Sequence, residues 1–255
     1  MATFRTYFTD CAVCVFPQAS GLNWTERLWA GSHQGFIQVG GDLGGQLLFL
    51  QCYNGFNPRS YLISWDDVGT PADVEVLGKM RTKNGFDEET CEMFVRASGA
   101  LGANYEYYCC TADNRNNRIR ISKELSGGAQ AVLSSTFFGF IENTWIWMRF
   151  RVIGNSLKLK AWSDGSSEPV AWDIDIVDGD IGGGGWIGPG QHTPRIDDDG
   201  TDFDFFSVGT GGDIAPGPID TYVNKLTRYN YVKPLHVDKE LVPYTLEPQI
   251  WPMDF

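Results

Sequence analysis

Three groups of residues in this 255-residue sequence have types and spacings that could do chemistry. The densest is Asp197-Asp198-Asp199-Gly200-Thr201-Asp202-Phe203-Asp204. Calcium takes about six to eight oxygen ligands, and carboxylates clustered on a turn supply them. Asp197, Asp199, Asp202 and Asp204 are therefore the candidate calcium ligands. The spacing is not that of an EF-hand loop, because Thr201 stands at the fifth ligand position and Asp202 at the glycine position. The alternative is a solvated acidic turn before a strand. The second group is Asp173-Ile174-Asp175-Ile176-Val177-Asp178. Alternating acids on one strand suit glycoside cleavage, where a retaining pair stands about 5 Å apart. Asp173 and Asp178 are the least implausible acids for it, but aspartate is a methylene shorter than the glutamates of such strands. Ion pairing to Lys158 and Lys160 explains Asp173 and Asp175 without catalysis, so the chain is read as non-enzymatic. The third group is aromatic. Trp147, Trp162 and Trp186, if exposed, would stack on sugar rings or bury at a protein interface, unless a second sheet or the chain's own tail covers them.

Composition narrows the field. The net charge of −12 disfavours binding to a phosphate backbone. The acids concentrate between Asp164 and Asp213, where Arg195 is the one base, and the rest of the chain is almost neutral. With 42% hydrophobic and 14% aromatic residues, the chain has the makings of a packed core. No apolar run approaches the roughly 20 residues of a membrane span. The opening MATFRTYFTD lacks a signal-peptide pattern, so synthesis in a cytoplasm is expected. The six cysteines contain one C-x-x-C, Cys11 to Cys14, without a second knuckle. Reduced, mostly buried thiols are expected, with Cys109 and Cys110 on opposite faces of a strand. His33, His192 and His236 accompany no nucleophile motif, and Gly182–Gly185 precedes no helical pattern, so it is a turn rather than a phosphate cradle.

The elements that must position these groups are strands. Alternation and turn signals place them at 46–53, 61–65, 73–83, 92–97, 105–111, 118–124, 129–138, 144–153, 156–162, 169–177, 184–187 and 203–208. Many short strands at regular spacing indicate an all-β, antiparallel two-sheet sandwich or jelly roll. Around Gly154-Asn155, a two-residue hairpin signal, the register follows from the alternation. Arg151 should face Lys158, Arg149 should face Lys160, and Trp147 should face Trp162. Facing like charges is unfavourable, so acids must lie beside them, and Asp173 and Asp175 on the next strand are the expected source. Val170, Trp172, Ile174 and Ile176 of that strand are assigned to the core.

Several stretches resemble a known family. They are TWIWMRFRVIGNSLKLKAWSDGSSEPVAW, GGGGWIGPG and FDFFSVGTGG, preceded in order by GLNWTERLW, DVEVLGKMRTK, ALGANYEYY and RIRISKEL. Together they resemble the laminin-G-like (concanavalin A-like) jelly roll, in the version common in virion proteins of tailed bacteriophages. The resemblance covers roughly residues 20–212 and is most specific over 144–210. It implies a sandwich over 1–212, best matched over 60–210, and raises the prospect of calcium at its edge. It implies a non-enzymatic structural protein of a bacteriophage particle, in the tail, the fibre or baseplate, or as a head-decoration component. Its partners would be other virion proteins, as a homo-oligomer or lattice subunit, with a host-surface glycan as a further ligand and the virion as its location. The competing reading is a free carbohydrate-binding or glycan-cleaving sandwich.

Residues 213–255 depart from that pattern. Pro234, Pro243, Pro248 and Pro252 recur too often for a long helix or a central strand, so an extended arm is expected. Tyr222, Tyr229, Tyr231, Tyr244 and Trp251 offer large contact area at low rotamer cost, the residue types of interface hot spots. They are the candidate assembly contacts, either on a neighbouring subunit or folded back on the chain's own sandwich.

Overall fold

The computed structural model describes residues 1–8, 14–15, 23–29, 32–53, 59–82, 90–100, 103–126, 130–141, 143–193 and 200–218. Among the described residues, sixteen strands run in chain order. They are β1 Ala2–Thr6, β2 Cys14–Val15, β3 Trp24–Trp29, β4 Ser32–Val39, β5 Gln46–Tyr53 and β6 Arg59–Trp65, then β7 Val74–Thr82 and β8 Thr90–Ala100. They continue with β9 Ala103–Asp113, β10 Arg118–Glu124, β11 Ala131–Phe137, β12 Ile146–Ile153, β13 Ser156–Ser163, β14 Ile174–Val177, β15 Trp186–Thr193 and β16 Thr201–Thr210. One 3₁₀ turn, Asp66–Val68, follows β6. The nine-stranded sheet has the order β14-β13-β12-β7-β16-β5-β4-β2, with β1 also paired to β16. The seven-stranded sheet has the order β11-β10-β9-β8-β15-β6-β3. Every pairing is antiparallel. The chain is thus an all-β two-sheet sandwich. Backbone contacts divide it into Met1–Gly217 and Pro218–Phe255.

Alternation builds the core. Met148, Phe150, Leu157, Leu159, Phe203, Phe206 and Val208 from the nine-stranded sheet cluster with Tyr61, Met93, Val95, Tyr108, Cys110, Ile119 and Ile121 from the seven-stranded one. The β12–β13 hairpin has the expected register, with Arg151 facing Lys158, Arg149 facing Lys160 and Trp147 facing Trp162. Its neighbour differs from expectation. Only Ile174–Val177 is strand, and Val170 is 98% exposed. Trp172 is not core: its ring lies 5.4 Å from Arg151 and 4.8 Å from Lys160 on the outer, basic face. The cations attract the indole ring where burial alone would have drawn it inward.

One residue ties the sheets together. Arg96 sits in a bulge of β8 with φ of 54°, a conformation unusual for a side chain of its size. Its buried guanidinium donates to the carbonyls of Ala72 (2.6 Å), Ile181 (2.8 Å) and Gly154 (2.8 Å). Those carbonyls belong to three separate segments of the nine-stranded sheet's connections. Lysine, with one ammonium, cannot span all three. We expect Arg96→Lys to lower unfolding free energy in urea by on the order of 3 kcal/mol, because orphaned buried carbonyls each carry a penalty. A loss below about 1 kcal/mol would show that the tie is dispensable.

Candidate functional site

The outer face of the nine-stranded sheet holds Trp147, Trp162, Asp202 and Asp204, and its aromatic cluster is closed. Trp147 and Trp162 are only 7% and 9% exposed and stack with ring centroids 6.1 Å apart. Phe205 packs against Trp147 at 5.7 Å, and Tyr7, Leu43 and Ala215 complete the cluster. The expectation of exposed stacking aromatics at these two positions is therefore corrected: both lie on the outer face, but other side chains cover them. Residues 213–217 form part of that cover. The Ala215 N–H donates to Glu75 (3.1 Å), and the Ala215 carbonyl accepts from Arg149 (2.9 Å). Ser207 donates to the Pro216 carbonyl (2.7 Å). Gly209 permits the approach, since a Cβ there would stand 2.3 Å from the Asp213 carbonyl oxygen.

The acids of this face neutralise its bases. Glu75 binds both Arg149 and Arg151, while Glu168 binds Arg149 and Lys160. Asp175 pairs with Lys158 at 2.8 Å, as expected from the sequence. Asp173 instead accepts the Ala161 N–H (2.9 Å), and Asp178 binds Tyr108 and Lys123. Burial raises the Asp178 carboxyl, but its hydrogen bonds to Lys123 and Tyr108 outweigh that and hold it below the ordinary value. Asp173 and Asp178 thus serve separate structural bonds.

The acidic segment before β16 also departs from expectation. Asp197 and Asp199 lie outside the described residues, as do Tyr222, Tyr229, Tyr231, Tyr244 and Trp251. Asp202 and Asp204 are fully buried in β16 itself. Asp202 pairs with Arg81 at 2.8 Å. Asp204 meets Lys79 at 3.2 Å, and Lys79 also binds Asp42 (3.2 Å) and Asp164 (3.0 Å). A bulge between Phe203 and Phe205 shifts the alternation, so Phe205 joins Asp204 on the outer face while Phe206 returns to the core. Burial depresses the Lys79 ammonium, but its acids outweigh this and hold it above the ordinary value. Burial raises the Asp204 carboxyl in spite of Lys79. These two carboxylates do not fit calcium: each is already spent on a cation, and a further one would sit beside Arg81 and Lys79. Among the described residues, no cluster of histidine, cysteine, aspartate and glutamate could hold a metal ion.

The outer face of the seven-stranded sheet is different. Cys109 lies on it and Cys110 in the core, as the strand alternation requires. Trp186 packs with Leu62, Phe94, Tyr107 and Cys109, and Arg27 covers its ring at 4.1 Å. Beside this apolar patch runs a polar band. Cross-strand pairing aligns Gly190, Glu92, Thr111, Arg120 and Ser135 in one row. It aligns His192, Thr90, Asp113, Arg118 and Phe137 in the next. At the β11 edge the band opens into a cleft of roughly 430 Å³ lined by Asp113, Asn116, Arg118, Arg120, Val132 and Ser135. Asp113 holds it in shape: it accepts the backbone and side-chain N–H groups of Asn116 (3.2 and 2.9 Å) and pairs with Arg120 (3.1 Å). Arg118 donates to Ser135 (3.1 Å). Phe137, directly opposite Arg118 on the same face, is 77% exposed. The sequence signal for this site was Arg118-Ile119-Arg120-Ile121, whose polar face reads as an ordinary solvated one.

No protein-family model matches the chain, and no curated protein matches it. Solved structures do. A protein of unknown function with a galectin-like fold from Bacillus subtilis superposes with a TM-score of 0.54 at 9% identity, over 81% of this chain and 94% of that one. The exoplasmic/lumenal domain of VIP36 in its Ca2+/Man-bound form superposes with a TM-score of 0.51 at 14% identity, over 82% of this chain and 92% of that one. At such identities the likeness is one of fold, and the fold is the galectin-like, concanavalin A-like jelly roll.

Two measurements check this description. Of two truncations, one after Gly217 and one after Gly212, the shorter chain should be less stable by about 2 kcal/mol, having lost the bonds that residues 215 and 216 make. Equal melting curves would show that this cover is idle. The second concerns His192, whose imidazole burial pulls below its ordinary value, with Glu92 opposing and Arg120 assisting. The unfolded chain then binds the proton more readily, so stability falls as pH drops through the ordinary value of 6.5 toward the folded one. His192→Gln should flatten that part of the stability–pH curve, and an unchanged slope would rule the histidine out as its source.

Proposed function

We propose that this chain is a carbohydrate-binding module of jelly-roll architecture, with its glycan site in the cleft at the β10–β11 edge. The carrying observation is the cleft itself. Asp113 fixes Arg120 and Asn116 in place, Arg118 and Ser135 add donors, and the exposed Phe137 ring stands beside them. Sugars present hydroxyl pairs at their edges and an apolar C–H face, and this set of groups matches both. Planar guanidinium and amide groups bind adjacent hydroxyls, while the aromatic ring covers the apolar face. One of the two similar structures, VIP36, is itself in a mannose-bound form, which supports a glycan as ligand class.

This is the reading that the sequence placed second. The particle-assembly reading draws on the resemblance and on the arm, whose candidate contacts lie outside the described residues. Asp202 and Asp204 are engaged by Arg81 and Lys79, and the proposed recognition is non-covalent, through the side chains of the cleft. A glycan array followed by calorimetry tests it. Phe137→Ala should weaken binding at least tenfold, about 1.4 kcal/mol, without moving the melting temperature, because the ring is exposed. An array that captures no sugar, or a variant that binds like wild type, would sink the proposal.

A further inference from the structure

The charges lining the cleft point to the kind of sugar, on the premise that the cleft is the glycan site. Asp113 has spent both carboxylate oxygens, one on the Asn116 backbone and the other on the Asn116 amide and Arg120. Its charge and that of Arg120 cancel. Arg118 remains: it stands opposite Asp113 in the strand register, but its one hydrogen bond goes to the neutral Ser135 hydroxyl and among the described residues it makes no ion pair. Arg27, Arg81, Arg149 and Arg151 behave otherwise, each pairing with an acid. Arg120 adds a guanidinium whose Nε is buried without a hydrogen-bond partner, while 21% of its side chain remains exposed at the cleft. On a chain of net charge −12, this cleft thus carries a surplus positive charge and unspent guanidinium N–H groups.

We infer that the cleft selects glycans bearing an anionic group, a carboxylate or a sulfate. Guanidinium binds either anion through two parallel charge-assisted hydrogen bonds, which are shorter and stronger than those to a neutral hydroxyl. Arg118 and Arg120 lie two residues apart on one strand face, roughly 7 Å. At that spacing one can hold the anion while the other binds a hydroxyl of the same ring. A neutral sugar would desolvate Arg118 and give it no counter-charge.

The test compares sugars matched in ring and linkage and differing in charge. The pairs are oligogalacturonate against its methyl ester, sialyllactose against lactose, and a sulfated galactose oligosaccharide against its desulfated form. In low salt, at least one anionic member should bind tenfold or more tighter than its neutral partner. The pair that does so tells carboxylate from sulfate. Arg118→Gln should bring that anionic sugar down to the affinity of its neutral partner, with an unchanged melting temperature. Equal binding of both members in every pair overturns the inference and leaves the glycan site standing. A preference that survives Arg118→Gln also overturns it. Capture of no sugar at all removes the glycan site and the inference with it.

Discussion

The guanidinium of Arg96 fixes how the two sheets meet. It reaches from a bulge in the seven-stranded sheet to three backbone carbonyls: one before β7, one in the β12–β13 turn and one in the segment between β14 and β15. That last segment receives two further ties from the same sheet. Tyr108 accepts the Ile181 N–H at 3.0 Å, and Lys123 pairs with Asp178 and Asp180. A left-handed arginine is strained, and it persists because its surroundings over-determine it. Lys123 stands near the end of β10 and Arg118 at its start. The clamp and the cleft therefore occupy opposite ends of one strand, so the cleft's arginines stand on a strand anchored at its far end. A site on a strand so anchored is better ordered than one on a loop.

Electrostatics divide the two outer faces in the same way. On the nine-stranded sheet, every lysine and arginine discussed above meets a carboxylate, and two of those acids, Glu75 and Asp204, are also held by the backbone N–H groups of Ala215 and Leu43. Buried ion pairs of this kind contribute little net stability against well-packed apolar residues, yet breaking one partner is costly, about 3–5 kcal/mol. Their effect is to specify one arrangement of Trp147, Trp162 and Phe205 and to close the face. The seven-stranded sheet has no such balance at its β11 edge. The positive surplus at Arg118 is therefore a local exception on an acidic protein rather than part of a general surface field.

What the sequence revealed depended on whether one period governed a segment. From 144 to 163 alternation is clean and Gly154-Asn155 fixes the turn, so register, facing charges and core residues were all readable. At Trp172 two forces compete, and an indole beside Arg151 and Lys160 goes to the cations. At Phe203–Phe206 a bulge changes the phase, which no alternation pattern announces, and two supposed turn acids became buried strand acids. Alternation places a strand only at 184–187, yet β15 runs from Trp186 to Thr193 between β8 and β6, past Pro189, a residue that rarely continues a central strand. The cleft was hidden for a different reason. It combines the end of β9, a turn, the start of β10 and part of β11, and each of these contributes residues that are ordinary on a surface.

The polar band leading to the cleft carries a cluster of buried polar atoms that folding alone would not favour. Glu92 Oε2, Ser122 Oγ and Arg120 Nε are all buried on one face of the seven-stranded sheet, and among the described residues none makes a hydrogen bond. Glu92 keeps its other oxygen for Thr111 (3.3 Å) and Gln130 (2.9 Å). Each unmet buried group costs about 1–3 kcal/mol, a large sum for a fold whose total stability is about 5–15 kcal/mol. Folding alone would favour apolar residues at these positions, as the sheet does one row away with Phe94 and Cys109. Sequences depart from folding rules where function requires it. Here the departure runs into a cleft lined by Asp113, Arg118 and Arg120, and the glycan site proposed there would account for it.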